Sequence, residues 1–116
     1  MGNAQNHVEF SKRAVKDLRG LPENARKLAR KKLKGLEPIP PLANLDIKPV
    51  EGHRPWLRMR VGDYRVLFRV LSRAEMDLLV MRRGALAGET GYLVARVVDR
   101  AELERAVDTL DLTANG

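Results

Sequence analysis

The sequence predicts a small α+β domain in which helices pack on one face of a mainly antiparallel sheet. Residues 55–70 alternate apolar and polar side chains on both sides of a Gly-Asp turn, which is typical of a β-hairpin. Before and after this hairpin, apolar residues recur at helical spacing. The 116 residues suffice for a single domain spanning residues 1–116, with its core expected over about residues 8–110.

An N-terminal strand at residues 7–10 and an αα-hairpin are expected before the β-hairpin. Ser11 is a suitable N-cap for a first helix that ends at Gly20. Pro22 suits the first turn of a second helix, whose basic side faces solvent. Residues 38–41, which include three prolines, end this helix and begin an extended connector. The apolar side of the second helix consists of Ala25, Leu28, Ala29, Leu33 and Leu36.

The two faces of the β-hairpin differ in chemistry. In the first strand, Trp56, Arg58 and Arg60 fall on the face opposite to the apolar residues. In the second strand, Arg65 and Arg69 point away from an apolar set in the same manner. A sheet face made of arginines, rather than of mixed charges, is a candidate surface for a polyanion.

The segment from residue 72 to residue 91 has two interpretations. Residues 72–75 have the form of a capping box, which favours a short helix, whereas the apolar run 78–81 suits a strand equally well. We favour the helix, followed by a loop through Gly84, Gly88 and Gly91. A strand is predicted over residues 92–100 and a closing C-terminal helix over residues 101–110.

Alternation in the last strand places Leu93, Ala95 and Val97 on the inner face and two further arginines on the outer face. Clustered guanidiniums repel one another unless an anion lies between them, and their forked geometry matches phosphate oxygens. The alternative is a solvated face whose arginines pair with Asp and Glu from loops. We favour a phosphate-bearing partner. The six arginines of this expected surface are Arg58, Arg60, Arg65, Arg69, Arg96 and Arg100.

The composition agrees with an anionic partner and excludes several classes of protein. A formal charge of +7 results from 22 basic and 15 acidic residues, and residues 11–34 are especially basic. The absence of cysteine excludes disulfides, and two histidines cannot build a zinc cluster, so we expect neither metal nor cofactor. No apolar run is long enough to cross a membrane, and the first residues do not resemble a signal peptide. A cytoplasmic protein without a membrane partner is expected.

The chain resembles the RelE/ParE superfamily of bacterial toxins over about residues 8–110. The resemblance is carried by the basic helical hairpin, by the string RVGDYRVLF at residues 60–68, and by ARVVDR at residues 95–100. It implies the fold described above and a toxin with a cognate antitoxin as its partner. RelE members cut messenger RNA in the ribosomal decoding site, whereas ParE members inhibit DNA gyrase and are not nucleases.

In RelE-like ribonucleases the working surface is the outer face of the sheet. Arg58 and Arg60 match basic residues beside the scissile phosphate, and Arg65 and Arg100 match arginines that act on that phosphate. The ribose 2′-hydroxyl attacks without a metal, and fixed guanidiniums stabilise the charge that develops at phosphorus. Trp56 either stacks on a base or covers the sheet edge. The implied catalytic residues are Arg58, Arg65 and Arg100, and the implied RNA contacts are Trp56, Arg60, Arg69 and Arg96.

Two departures from the RelE pattern leave the function open. Trp56 stands where RelE nucleases often have a lysine, and residues 101–105 lack the tyrosine or histidine of the family's last helix. Because arginine keeps its proton at usable pH, a general base must come from elsewhere. The candidates, each with a structural contact as its alternative role, are Asp46, Glu51, His53 and Asp99. A ParE-like gyrase inhibitor and a degenerate nucleic-acid-binding member are therefore alternatives to a ribosome-dependent endoribonuclease.

Overall fold

The computed structural model describes the backbone of residues 5–83 and 90–115. Strand β1 (His7–Phe10) leads into helices α1 (Lys12–Gly20) and α2 (Glu23–Lys34), which form the predicted αα-hairpin. Strands β2 (Ile47–Pro49), β3 (Leu57–Val61) and β4 (Tyr64–Val70) follow. Helix α3 (Arg73–Arg83) precedes strand β5 (Gly91–Asp99), and a 3₁₀ turn (Arg100–Glu102) leads into helix α4 (Leu103–Asn115).

These elements confirm the predicted α+β class. The favoured helix after β4 is confirmed over the alternative strand, whereas Gly84 and Gly88 of the predicted loop lie outside the described residues and Gly91 begins β5. The closing helix extends beyond the predicted limit at residue 110. Within the described part of the chain, no helix combines the length and the apolar character that a bilayer span requires.

The five strands form one sheet in the order β1-β5-β4-β3-β2. Strand β1 is parallel to β5 and the other pairs are antiparallel, as the prediction of a mainly antiparallel sheet requires. The tight turn between β3 and β4 contains Gly62, whose φ of 58° is a left-handed conformation that other residues rarely adopt.

Helices α1 and α2 cover the inner face of the sheet. The Ser11 hydroxyl caps α1 by accepting a hydrogen bond from the Ala14 backbone N–H (3.0 Å), as predicted. Leu28 departs from its predicted inward position and is 37% exposed, because it lies near the hairpin turn at Gly62, at the edge of the packed layer. The inner cluster includes Ala14, Ala29, Leu33, Leu36, Met59, Val66, Phe68 and Val97.

Helix α4 packs on the outer face of the sheet, so the prediction that all helices share one face is wrong for this helix. The outer face carries apolar residues among its arginines, and these side chains leave water only when another element covers them. The side chains of Ala106 and Val107 provide that cover. The outer cluster consists of Val50, Trp56, Leu67, Ala95, Val98, Ala106 and Val107.

A β-bulge in β5 reverses part of the predicted alternation. Leu67 of β4 pairs with Arg96 and its neighbour Phe68 pairs with Val94, which leaves Ala95 as an extra residue. Val94 therefore packs in the inner cluster and Ala95 in the outer one, opposite to the prediction. Beyond the bulge, Val97 lies on the predicted inner face. A one-residue insertion changes which face each side chain occupies, and the apolar pattern gave no signal of it.

Candidate functional site

Four arginines lie close together where the β3–β4 turn meets the start of α4. Arg60 and Arg65 are direct cross-strand partners, and Arg58 lies two residues before Arg60 on the same face of β3. The backbone N–H of Arg100 donates to the Asp63 carbonyl of the turn (2.9 Å), which brings Arg100 beside the hairpin. We call Arg58, Arg60, Arg65 and Arg100 the arginine cluster. It contains the three arginines predicted to be catalytic.

Backbone carbonyls, and no carboxylate of the described residues, accept the hydrogen bonds of the Arg65 guanidinium. The guanidinium donates to two of them, those of Gly62 (3.0 Å) and Tyr64 (2.9 Å). Burial lowers the pKa of Arg65, and the positive charges of the other three cluster members lower that pKa further. Carbonyl acceptors fix the position of the guanidinium without cancelling its charge. The cluster therefore has the charge and the fixed geometry that suit an anion.

Asp46 is the predicted general-base candidate that lies at the arginine cluster. Its carboxylate accepts a hydrogen bond from Arg58 (3.2 Å), and its negative charge acts to raise the pKa of Arg65. Its backbone carbonyl accepts from the Arg60 backbone N–H (3.0 Å), which attaches the chain before β2 to β3. Among the described residues, Arg60, Arg65 and Arg100 form no ion pair, whereas Arg58 pairs with Asp46.

The other three base candidates make different contacts. His53 forms a hydrogen bond with Asp111 of α4, which is the main cause that raises the pKa of its imidazole, and its Nε2 lies 3.6 Å from Asp108. The Asp99 carboxylate accepts from the Ala101 backbone N–H (2.9 Å) and so caps the 3₁₀ turn. Glu51 is exposed in the turn between β2 and β3. The contacts of His53 and Asp99 correspond to the structural alternatives.

Trp56 and Arg69 are not part of the arginine cluster. The Trp56 ring is 5% exposed beneath α4, so neither ring face is open for stacking on a base, and covering the sheet is the role that its burial supports. The Arg69 guanidinium lies 5.8 Å from the ring centroid and binds both carboxylate oxygens of Glu75 (2.6 and 2.8 Å). This bidentate pair lowers the pKa of Glu75 to about 2. Arg69 thus anchors α3 to the sheet.

Arg96 also departs from the predicted RNA surface. Its Nε donates to the Asp17 carboxylate of α1 (2.8 Å), and the Val97 backbone N–H donates to the same carboxylate (3.0 Å). Strand β1 pairs with β5 only as far as Val94, and α1 then lies along the open edge of β5, where Arg96 and the Val97 N–H both reach Asp17. One sequence signal was available, because Asp17 is the acidic residue of an otherwise basic α1.

Lys48 of β2 was not among the predicted site residues. It is exposed, and its cross-strand partner in β3 is Arg58. The alternation of Ile47 and Lys48 is the sequence pattern that indicates this position. It shows which face Lys48 occupies only together with the pairing of β2 and β3.

An apolar groove lies on the opposite side of the molecule, between β1, α1 and α2. Its volume is about 450 Å³, and Phe10, which lines it, is 41% exposed. Basic side chains at the rim surround an apolar floor. The floor contains Val8, Phe10, Val15, Leu18 and Leu33, and the rim contains Arg19, Arg26, Arg30, Lys34 and the acidic Glu37. This groove suits an amphipathic segment that carries negative charge.

Comparison with known proteins finds relatives that are described as toxins. A family model described as the ParE toxin of type II toxin–antitoxin systems (parDE) matches residues 8–84. The RelE1 protein of Methanocaldococcus jannaschii is 36% identical over 66 residues, which are 56% of this chain and 73% of that protein.

The fold is similar to chains in three solved toxin–antitoxin complexes. The RelB–RelE complex from Methanococcus jannaschii gives a TM-score of 0.55 at 25% identity, covering 84% of this chain and 95% of that one. The RelE–RelB complex from Pyrococcus horikoshii gives 0.56 at 23% identity, covering 82% and 94%. The RelBE2 complex from Mycobacterium tuberculosis gives 0.55 at 23% identity, covering 84% and 100%.

The fold, the arginine-bearing hairpin and these matches agree with one another. The chain belongs to the RelE/ParE superfamily and is a toxin of a toxin–antitoxin system.

Proposed function

We propose that this toxin is an endoribonuclease that cleaves messenger RNA on the ribosome without a metal ion. The observation that carries the proposal is Arg65, whose guanidinium is fixed by two backbone carbonyls and whose pKa is lowered by burial and by three neighbouring arginines. A site of this kind is stabilised when negative charge enters it. In the proposed phosphoryl transfer, negative charge on the phosphate oxygens increases in the transition state.

The reaction would be an attack of the ribose 2′-oxygen on the adjacent phosphorus. A new O2′–P bond forms, the P–O5′ bond breaks, and the products are a 2′,3′-cyclic phosphate and a 5′-hydroxyl. Arg65 and Arg100 would hold the non-bridging oxygens of the five-coordinate phosphorus, where their charges lower the barrier. The proton of the 2′-hydroxyl would pass to Asp46, and the leaving 5′-oxygen would take a proton from solvent.

The contact that Asp46 makes with Arg58 gives a reason for dependence on the ribosome. One oxygen of the Asp46 carboxylate already accepts a hydrogen bond from Arg58 (3.2 Å), so that oxygen is not free to take the proton of the 2′-hydroxyl. A substrate held with its 2′-oxygen in line with the P–O5′ bond needs less help from a base, because correct orientation removes much of the entropic barrier. The ribosome would supply this orientation for the mRNA. Free RNA is therefore expected to be a poor substrate.

The proposed resting-state partner is a cognate antitoxin that is acidic and partly helical. The solved relatives are toxins in complex with antitoxins. The groove between β1, α1 and α2 joins an apolar floor to a rim of four basic residues. An acidic amphipathic segment that folds in this groove would bury apolar surface and neutralise charge in the same step.

A ParE-like toxin that binds DNA gyrase is the second candidate. Two observations favour it: the matching family model is that of ParE, and neither of the two histidines reaches the arginine cluster. In this case the arginines would provide electrostatic attraction to a partner and no chemistry. A degenerate nucleic-acid-binding member would bind RNA and inhibit neither process.

Two parallel assays with the purified toxin separate these functions. We expect mRNA to be cut in a translating system, with gyrase supercoiling unaffected and with cutting suppressed when the cognate antitoxin is added. The Arg105→Ala protein is a matched control, because Arg105 is exposed on α4 and, in the part of the chain that the structure describes, its guanidinium pairs with Glu102 alone. Inhibited supercoiling with intact mRNA would assign the chain to the gyrase-binding alternative.

A further inference from the structure

Lys48 extends the positive surface across the sheet to its edge strand. The preceding residue, Ile47, packs against the inner cluster, so Lys48 points to the outer face. Lys48 and Arg58 are direct cross-strand partners, and side chains in such pairs lie side by side on one face. The outer face thus carries a continuous row of cations: Lys48 on β2, Arg58 and Arg60 on β3, Arg65 on β4, and Arg100 after β5.

The row is too long for one phosphate group. Three interstrand spacings separate β2 from β5, which is about 14 Å at the usual spacing of neighbouring strands. The Asp46 carboxylate pairs with Arg58, and in the described part of the chain Lys48 forms no ion pair. The charge at the β2 end of the row is therefore available to a second anion. Helix α4 covers the apolar remainder of this face, which confines a ligand to the row.

We propose that Lys48 and Arg58 form a second phosphate-binding position, occupied by a phosphate next to the one that Arg65 contacts. The ligand would be a single-stranded RNA segment that crosses the strands between the β2 edge and Arg100. This inference rests on the proposed nuclease function and deepens it. Lysine suits a flanking position, because its ammonium is a mobile point charge that holds a phosphate without fixing its orientation. The forked guanidinium of Arg65 is the group suited to the reacting phosphate.

Substrate length provides the test. The probes are a 2′-deoxy dinucleotide with one phosphate and a 2′-deoxy tetranucleotide with three, neither of which can react by 2′-oxygen attack. Binding to the full-length Lys48→Gln protein is followed by NMR titration at several salt concentrations. We expect weaker binding of the tetranucleotide, with the log–log salt slope reduced by about 0.7, and unchanged binding of the dinucleotide. The control is Lys27→Gln, which removes an exposed charge from α2 and should affect neither probe.

The outcomes distinguish this inference from the proposed function. Equal tetranucleotide binding by the wild-type and Lys48→Gln proteins would overturn the second phosphate position. Equal weakening of both probes would also overturn it, because Lys48 would then act only through long-range charge. The Arg65→Ala protein tests the underlying site separately. If Arg65→Ala weakens dinucleotide binding and Lys48→Gln has no effect on the tetranucleotide, the proposed nuclease site stands and only the extension fails.

Discussion

Replacing Arg65 with alanine should slow mRNA cleavage by about 10²–10³-fold, because loss of one preorganised donor to a developing oxyanion typically has this effect. The Arg65 guanidinium is fixed by the carbonyls of Gly62 and Tyr64 and faces three further positive charges. In the proposed reaction, its loss removes positive charge from the place where negative charge develops on the phosphate. The side chain contributes little to the core, so the variant should stay folded and lose only about 1 kcal/mol of stability.

The measurement for Arg65→Ala is the single-turnover rate of cleavage of ribosome-bound mRNA, with circular dichroism as the check on folding. Arg65→Lys should be intermediate, since it keeps the charge but loses the fork that binds two phosphate oxygens. Arg105→Ala, a change at an exposed arginine outside the cluster, should cut at the wild-type rate. Wild-type cleavage by Arg65→Ala would remove Arg65 from the site.

Replacing Arg96 with alanine should have its main effect on folding. Arg96 and Asp17 form an ion pair whose side chains are 17% and 13% exposed. Removing Arg96 leaves the Asp17 carboxylate largely buried, with the Val97 N–H as its close donor and the exposed Arg13 guanidinium at 3.9 Å. Breaking such a pair lowers the free energy of unfolding by about 3 kcal/mol. RNA cleavage by the folded fraction should change little.

Urea denaturation measures this loss, and Arg13→Ala is the matched control. The Arg13 side chain is 64% exposed and lies 3.9 Å from the same carboxylate, so its removal should change the free energy of unfolding by less than about 0.5 kcal/mol. A double-mutant cycle with Asp17→Asn isolates the coupling between the two residues. If Arg96→Ala were fully stable and had lost RNA binding, Arg96 would belong to the RNA surface after all.

Local sequence patterns predicted the β-hairpin and the grouping of most of the arginine cluster. Alternation around the Gly-Asp turn is a property of neighbouring residues, so it determined which side of the hairpin carries Arg58, Arg60 and Arg65. Alternation in the last strand also placed Arg100 on the outer face, and its backbone hydrogen bond to the Asp63 carbonyl keeps it beside the hairpin. The apolar spacing of the helices also predicted which of their side chains face inward, with Leu28 as an exception.

Features that depend on distant residues were not predictable in this way. The amphipathic pattern of α4 required a packing partner but did not say which face of the sheet it would cover. Trp56 and Leu67 lie among arginines in the sequence, and their burial depends on that helix. The bulge at Ala95 has no composition signal, and the pairing of Arg96 with Asp17 depends on α1 lying along the edge of β5. Pairings of this kind arise only when the elements assemble.

The measurement that tests the central claim most directly is the chemistry of the RNA ends left by the purified toxin on translated mRNA. A chelator cannot test whether the toxin needs a metal, because the ribosomes in the assay themselves require magnesium. The end groups of the RNA products report on the mechanism without a chelator. Attack by the 2′-oxygen predicts a 2′,3′-cyclic or 3′-phosphate on the upstream fragment and a 5′-hydroxyl on the downstream fragment. Downstream fragments with 5′-phosphate ends would contradict the mechanism, and uncut mRNA together with blocked supercoiling would contradict the nuclease function itself.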